Sequence, residues 1–263
     1  MLGKNSLGAL NFTIESRPVA AQIDLLLANG YQHISFWGSA NGGRSVAEYF
    51  ADERVANGEL SIAGVLYDIN VDQGDDPVVT AKLLGELEGK GAALWLLLEG
   101  QDQERLVDTV RTIADLAEAR RVPVVLYPHQ FTAMPDAESA NQLRLTAERA
   151  NVSLSLHLCH ELKAGNRDRL AEVIHHVIGS VSLATVSGAD TDFDTQSSDW
   201  THTIMPLDRG DFDVQEQYVR PLLEAGYSGP IVLHTFGITD PPEDHYQRSA
   251  QRWREMVSAL RAR

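Results

Sequence analysis

The chain has 263 residues, 43% of them hydrophobic, which suffices for a large core in one α/β barrel or in two smaller domains. Acidic residues outnumber basic ones 37 to 22, a formal charge of −15, and a field of that sign argues against nucleic acid or an anionic membrane as partner. A single cysteine, Cys159, excludes an internal disulfide and a thiolate metal cluster, and no apolar run is long enough to span a bilayer. The first residues lack the apolar core of a signal peptide, so a soluble, cytoplasmic protein is expected, although a chain already trimmed of its signal peptide would read the same.

In order, a strand-then-helix unit repeats. Residues 8–13 read as a strand, after which Ser16 is expected to cap a helix with Pro18 in its first turn and Asn29-Gly30 at its end. Residues 32–37 form a second strand, followed by a glycine-rich loop over 38–43 and a helix over 45–56. The third strand spans 60–67, and Asp76 with Pro77 opens the third helix by N-cap logic. Residues 92–98 are continuously apolar, as in a strand buried on both faces of a parallel sheet, and Glu99 ends them. Asp102 caps the clearest amphipathic helix, whose stripe is Leu106, Val110, Ile113 and Ala117. The fifth strand, 122–127, runs into Pro128 and His129, and the next helix passes through Leu143 and Ala147.

The sixth strand, 153–157, alternates. Leu154, Leu156 and Leu158 share one face and Ser153, Ser155 and His157 the other, as in a barrel strand whose leucines meet a helix while small polar residues face the lumen. His160 is expected in the turn just beyond. Asn166 should cap a helix ending at Gly179. A seventh strand at 181–186, a polar loop over 187–210, a helix over 213–225, an eighth strand at 231–234 and a helix over 244–260 complete the chain. Eight such units without a linker predict one α/β domain over residues 1–263, a (β/α)8 TIM barrel. A doubly wound open sheet is the alternative, but no G-x-G-x-x-G turn follows the first strand.

Barrel active sites lie at the C-terminal strand ends. Collected there are Asp68, Glu99, Tyr127, His129, His157, His160, Ser187, Asp190 and His234. His175 and His176 read as surface helix residues, His33 as the opening of the second strand, and His202 and His245 as loop residues.

The second half of the chain carries Leu126-Tyr127-Pro128-His129, Leu158-Cys159-His160-Glu161-Leu162-Lys163, Ser187-Gly188-Ala189-Asp190, a Pro-Leu-x-x-Gly-x-x-Asp run from Pro206 to Asp213, and Gly226-Tyr227-Ser228-Gly229-Pro230. Through these segments the whole chain resembles the xylose isomerase-like (sugar phosphate isomerase/epimerase) barrels. Typical members hold a divalent metal between Glu, Asp, His and Glu at the ends of strands five to eight, and the two Glu residues shuttle a proton between adjacent carbons. The resemblance places Tyr127, His157, Ser187 and His234 at those positions. All four are changed, while the family's additional histidine is kept as His160. The carboxylate bases are gone, so the standard metal-bound mechanism does not carry over.

Two consequences stay open. A His-rich site built from His157 and His234, with His160 or His129, would suit Zn, Mn or Fe better than Mg, because imidazole is the softer ligand. Alternatively the metal has been lost and the histidines bond a sugar directly. Asp190, Asp192 and Asp194 resemble the start of a calcium loop, but Thr195 and Thr201 stand where glycine and glutamate are required. Gly42-Gly43-Arg44 reads as a flexible loop rather than a phosphate contact.

The expected function is a sugar or keto-sugar isomerase or epimerase that abstracts a proton beside a carbonyl, metal-assisted if an ion is held. His160 is the first choice of base, ahead of His129 and His157, because imidazole titrates near neutral pH. Tyr127 or Lys163 would polarise the oxygen, and Glu99, Asp190, Trp200 and Asp68 would hold a small carbohydrate. Elimination on keto-glycosides, and a non-catalytic carbohydrate-binding barrel, are the alternatives. Homo-oligomers are compatible with this reading, as in many barrels.

Overall fold

The alternation around residue 155 becomes the two faces of one barrel strand. In the computed structural model, which describes residues 6–74 and 76–262, β6 (Val152–His157) packs Leu154 and Leu156 between sheet and helices, and turns Ser155 and His157 inward. Strands β1 (Leu7–Leu10), β2 (His33–Trp37), β3 (Ser61–Asn70), β4 (Ala93–Glu99), β5 (Val124–Tyr127), β6, β7 (Val181–Val186) and β8 (Ile231–Leu233) pair in sequence order. All pairs are parallel, and β8 closes onto β1. The result is a (β/α)8 TIM barrel. Its helices are α1 (Val19–Ala28), α2 (Val46–Phe50), α3 (Glu53–Ala56), α4 (Pro77–Leu87), α5 (Gln103–Glu118), α6 (Ala137–Ala147), α7 (Leu158–Lys163), α8 (Leu170–Val177), α9 (Arg220–Glu224) and α10 (Pro242–Arg261). Among the described residues no helix is long and apolar enough to cross a membrane.

Two apolar layers form. Leu94, Leu96 and Leu98 of β4 join the layer under the helices, whereas Ala93, Trp95 and Leu97 fill the lumen with Leu10, Leu66, Val125, Leu183 and Val232. This is why β4 reads as uniformly apolar. Trp95 is fully buried, and its Nε1–H donates to Ser155 Oγ at 2.8 Å. An indole buries roughly 150–250 Å², on the order of 4–6 kcal/mol at about 25 cal/mol per Å². Gly64 makes room for it, since a Cβ there would lie 3.2 Å from both the indole and Leu183. The lumen is therefore a plug, and any site must lie above it.

Several boundaries differ from the sequence reading. Ser16 caps nothing: Ile14 is buried and draws residues 11–17 into successive turns, so α1 begins only after Pro18. The helix expected over 45–56 breaks at Ala51, because the Asp52 side chain accepts from Arg54 N–H and starts α3. Asn166 does not cap. Its amide donates to Glu161 Oε2 at 2.8 Å, while Glu161 Oε1 accepts from Ala137 N–H at 2.7 Å, tying α7 to the start of α6. A wide π turn over Gln215–Val219 precedes α9, where Pro221 has no N–H to offer the carbonyl four residues back. His160 lies in helix α7, not a turn. His245 is no loop residue either: it is buried in α10 with Nε2 2.9 Å from Thr13 Oγ1. His175 and His176 are exposed on α8, as expected.

Candidate active site

Above the plug the two-residue period continues and delivers the polar rim. Val125 leads to Tyr127 and His129, Ser155 to His157, and Val232 to His234. Helix α7 starts directly after His157 and folds His160 back over the same corner. Tyr127 sits at the centre, its ring 4.0 Å from His157, 5.7 Å from His160 and 6.2 Å from His129 between centroids. His129 and His160 are 4.4 Å apart, and Trp200 from the loop after β7 covers both at 5.5 and 4.9 Å.

The hydrogen bonds assign the tautomers. His157 is fully engaged. Ser155 Oγ donates to the Leu126 carbonyl, so His157 Nε2–H donates to Ser155 Oγ at 2.7 Å and Nδ1 accepts from Thr185 Oγ1 at 3.1 Å. His234 Nδ1 accepts from Phe236 N–H at 3.4 Å, which puts the proton on Nε2, 3.1 Å from Tyr127 Oη. The tyrosine proton is thereby left for a ligand. His160 Nδ1 accepts from Gln130 N–H at 3.3 Å, and its Nε2–H is buried with no partner. His129 is the reverse: Nδ1–H donates to the Gln130 carbonyl at 2.7 Å, so its Nε2 carries a lone pair.

All four imidazoles are neutral at pH 7. Burial, reinforced by neighbouring imidazoles, holds His157 and His160 well below the ordinary 6.5, and burial with the His129 field brings His234 to about 3. Burial also lowers His129, against its bond to Gln130 and the nearby Glu99 charge. Tyr127 is raised well above 10 by burial and stays protonated.

Other residues singled out in the sequence lie apart from this corner. Lys163 is buried, and its Nζ donates to the carbonyls of Asp194 and Ser197, each at 2.8 Å, with the ammonium 5.4 Å from the Trp200 ring centroid. It anchors the loop that carries Trp200. Asp190 is bonded to His202 Nδ1 at 2.7 Å. Glu99 is exposed at the end of β4, where its charge reaches both Asp68 and His129. Asp68 is raised to about 6, by burial first and Glu99 second, and its Oδ1 is buried without a partner.

Sequence reasoning put Ser155 on the lumen face but missed that it positions His157, and it missed Trp95 and Thr185, which do the same, as well as Phe12 and Phe236, whose rings meet edge-on at 5.9 Å beside His234. Phe12 and Phe236 each lie two residues beyond a lumen residue, Leu10 and His234, so the period could have found them. Trp95 was hidden in an unbroken apolar run.

His157, His160 and His234 each offer a ring nitrogen, all within 4.8 Å of one another, the spacing of a metal triad. The polarity of their partners is wrong for one. A metal-bound imidazole donates its other N–H to an acceptor. Here His160 and His234 instead accept backbone N–H groups, and both nitrogens of His157 are taken by hydroxyls. An ion would have to displace these bonds, so the triad as hydrogen-bonded does not fit a metal.

Eight parallel strands and a polar cluster at their C-terminal ends define a (β/α)8 barrel with its working face above a plugged lumen. A family model described as xylose isomerase-like TIM barrel matches residues 74–256, and the chain belongs to that family. No curated protein matches it by sequence. Among solved structures it is similar to an IolI protein with a bound zinc atom, at 16% identity and TM-score 0.76, over 97% of this chain and 99% of that one. It is also similar to an L-ribulose 3-epimerase, at 12% identity and TM-score 0.75, covering 98% and 96%. A third is the 3-keto-D-glucoside 4-epimerase from E. coli, at 14% identity and TM-score 0.70, covering 99% and 100%. At these identities the likeness is one of fold.

Proposed function

We propose that the chain is a sugar-modifying enzyme that moves a proton at the carbon beside a carbonyl, and that it does so without a metal step. The observation that carries this is the opposite tautomers of His129 and His160, with ring centroids 4.4 Å apart. His129 Nε2 removes the C–H proton. The bonding electrons form C=C, and the carbonyl oxygen takes the negative charge. That oxygen accepts from His160 Nε2–H and the Tyr127 hydroxyl, two neutral donors in a desolvated corner, where such stabilisation is strongest. Return of the proton from the His129 imidazolium to the same carbon restores the carbonyl and is read as exchange; collapse of the enolate with expulsion of a group from the next carbon, protonated by that imidazolium as it leaves, gives elimination. The role first expected of His160 thus passes to His129, because His160 Nε2 already bears its proton. Two of the similar barrels, by name, are sugar epimerases, which supports a small carbohydrate as substrate.

The test is deuterium exchange from D₂O into a panel of ketoses and keto-glucosides. His129→Ala should lose about a hundredfold in exchange rate, the usual worth of a general base. Undiminished exchange in that variant refutes the assignment. Absence of exchange across the panel leaves the carbohydrate-binding barrel as the reading.

A further inference from the structure

The histidine corner occupies the β5, β6 and β8 side of the rim. Next to it, on the β1–β3 side, is a space of about 1020 Å³ whose lining includes Asn11, Phe12, Asp68 and Phe236. That is at the top of the range of about 300–1,000 Å³ for small-molecule sites and far more than one sugar ring needs. Phe12 joins the two regions, its ring 5.8 Å from His234.

The polarity of this lining is fixed by a network reaching back into the helices. Gln22 on α1 donates its amide to the carbonyls of Glu15 and Arg17, so its Oε1 accepts from Tyr49 Oη at 2.9 Å and Asn11 Nδ2 at 3.2 Å. Asn11 Nδ2 also donates to Tyr49 Oη. The Asn11 amide is thereby oriented, and its Oδ1 is left without a partner in a residue only 3% exposed. Asp68 Oδ1 is likewise unpartnered. Two acceptors await donors. An anionic ligand finds nothing here: the Arg44 guanidinium is spent on Glu48 and the carbonyls of Glu15 and Arg17, and the remaining charges are carboxylates.

We propose that this space is a subsite for the second ring of a neutral glycoside, whose hydroxyls donate to Asn11 Oδ1 and Asp68 Oδ1 while a face of the ring packs on Phe236. The keto-bearing ring then lies against the histidine corner, so the inference rests on the proposed chemistry for what the first ring undergoes. Half-exposed Phe236 is otherwise an apolar ring offered to water (51% exposed).

Calorimetric titration with glucose, maltose, cellobiose, trehalose and glucose 6-phosphate tests it. At least one neutral disaccharide should bind ten times more tightly than glucose, and glucose 6-phosphate should bind more weakly. Phe236→Ala and Asn11→Leu should each return that disaccharide to the affinity of glucose, with glucose binding unchanged. Phe236 is exposed, so its variant reports even if Asn11→Leu does not fold. Equal affinities for one and two rings, tighter binding of the phosphate, or an advantage that survives both substitutions overturns the proposal. Deuterium exchange lost in His129→Ala without a disaccharide preference removes the subsite alone. A disaccharide preference without any exchange removes the chemistry alone.

Discussion

Acidification from pH 7 to pH 5 should cost this protein a large part of its stability. His157, His160 and His234 are buried and neutral, with folded pKa values below the ordinary 6.5. As the pH falls through 6.5 the unfolded chain takes up protons that the folded chain refuses, so stability is present above that value and drains away below it. For one such histidine the loss between pH 7 and pH 5 is at most about 1.9 kcal/mol, the limit set by the unfolded value alone. Three give at most about 6 kcal/mol. Glu161 works in the other direction: burial raises it to about 7, so the folded state binds its proton first and gains about 2 kcal/mol over the same range. His245, lowered to about 4, adds to the loss, and half-buried Asp68, raised to about 6, weakly offsets it. The net fall is at most about 4 kcal/mol, set against a total of roughly 5–15 kcal/mol for a typical domain. Urea unfolding at the two pH values measures it, with an unchanged slope showing that both transitions expose the same surface. Stabilities agreeing within about 1 kcal/mol, a fraction of the shift expected from linkage, would refute the reasoning. So would histidine ring carbon resonances that titrate near 6.5 for all three residues.

Three other outcomes follow from the site. Catalytic efficiency kcat/KM should rise with pH through a midpoint below the ordinary 6.5, because burial lowers His129 and it acts when unprotonated; a pH–rate profile with its midpoint above 7 would contradict this. Tyr127→Phe removes one of two donors to the developing oxyanion and should cost roughly 10²–10³ in kcat, with KM little changed; an unaltered kcat would assign the tyrosine to packing only. Protein purified from zinc-supplemented medium and dialysed should retain well below one metal ion per chain by elemental analysis. One ion per chain, lost in His160→Ala, would show that the triad gives up its hydrogen bonds to an ion.

Much of the fold was legible because a parallel barrel writes itself into the chain twice. The leucine–serine alternation of β6 and the unbroken run of β4 come from the same requirement, a strand with a helix on one side and a lumen on the other. The rim histidines followed from strand ends alone. What could not be read was which nitrogen of each ring is occupied. That depends on Gln130 offering its carbonyl to His129 and its N–H to His160, two backbone contacts that no side-chain pattern encodes. Lys163 misled for a related reason. Its position near the rim suggested chemistry, but the loop of residues 187–210 carries carbonyls that need a donor, and those are over thirty residues away in sequence. Ser16 looked like a cap by type, and buried Ile14 overruled it.

The Lys163 tether also bears on how such a barrel can be remodelled. Its ammonium fastens the loop backbone at two points three residues apart, and Trp200 hangs three residues beyond the second. The roof of the site is thus suspended from the element that contributes His160, so the two inherit each other's displacements. A loop transplanted from another barrel would change specificity cleanly only if it brought carbonyls to the same two points. Otherwise the graft would loosen α7 and, with it, the imidazole it was meant to serve.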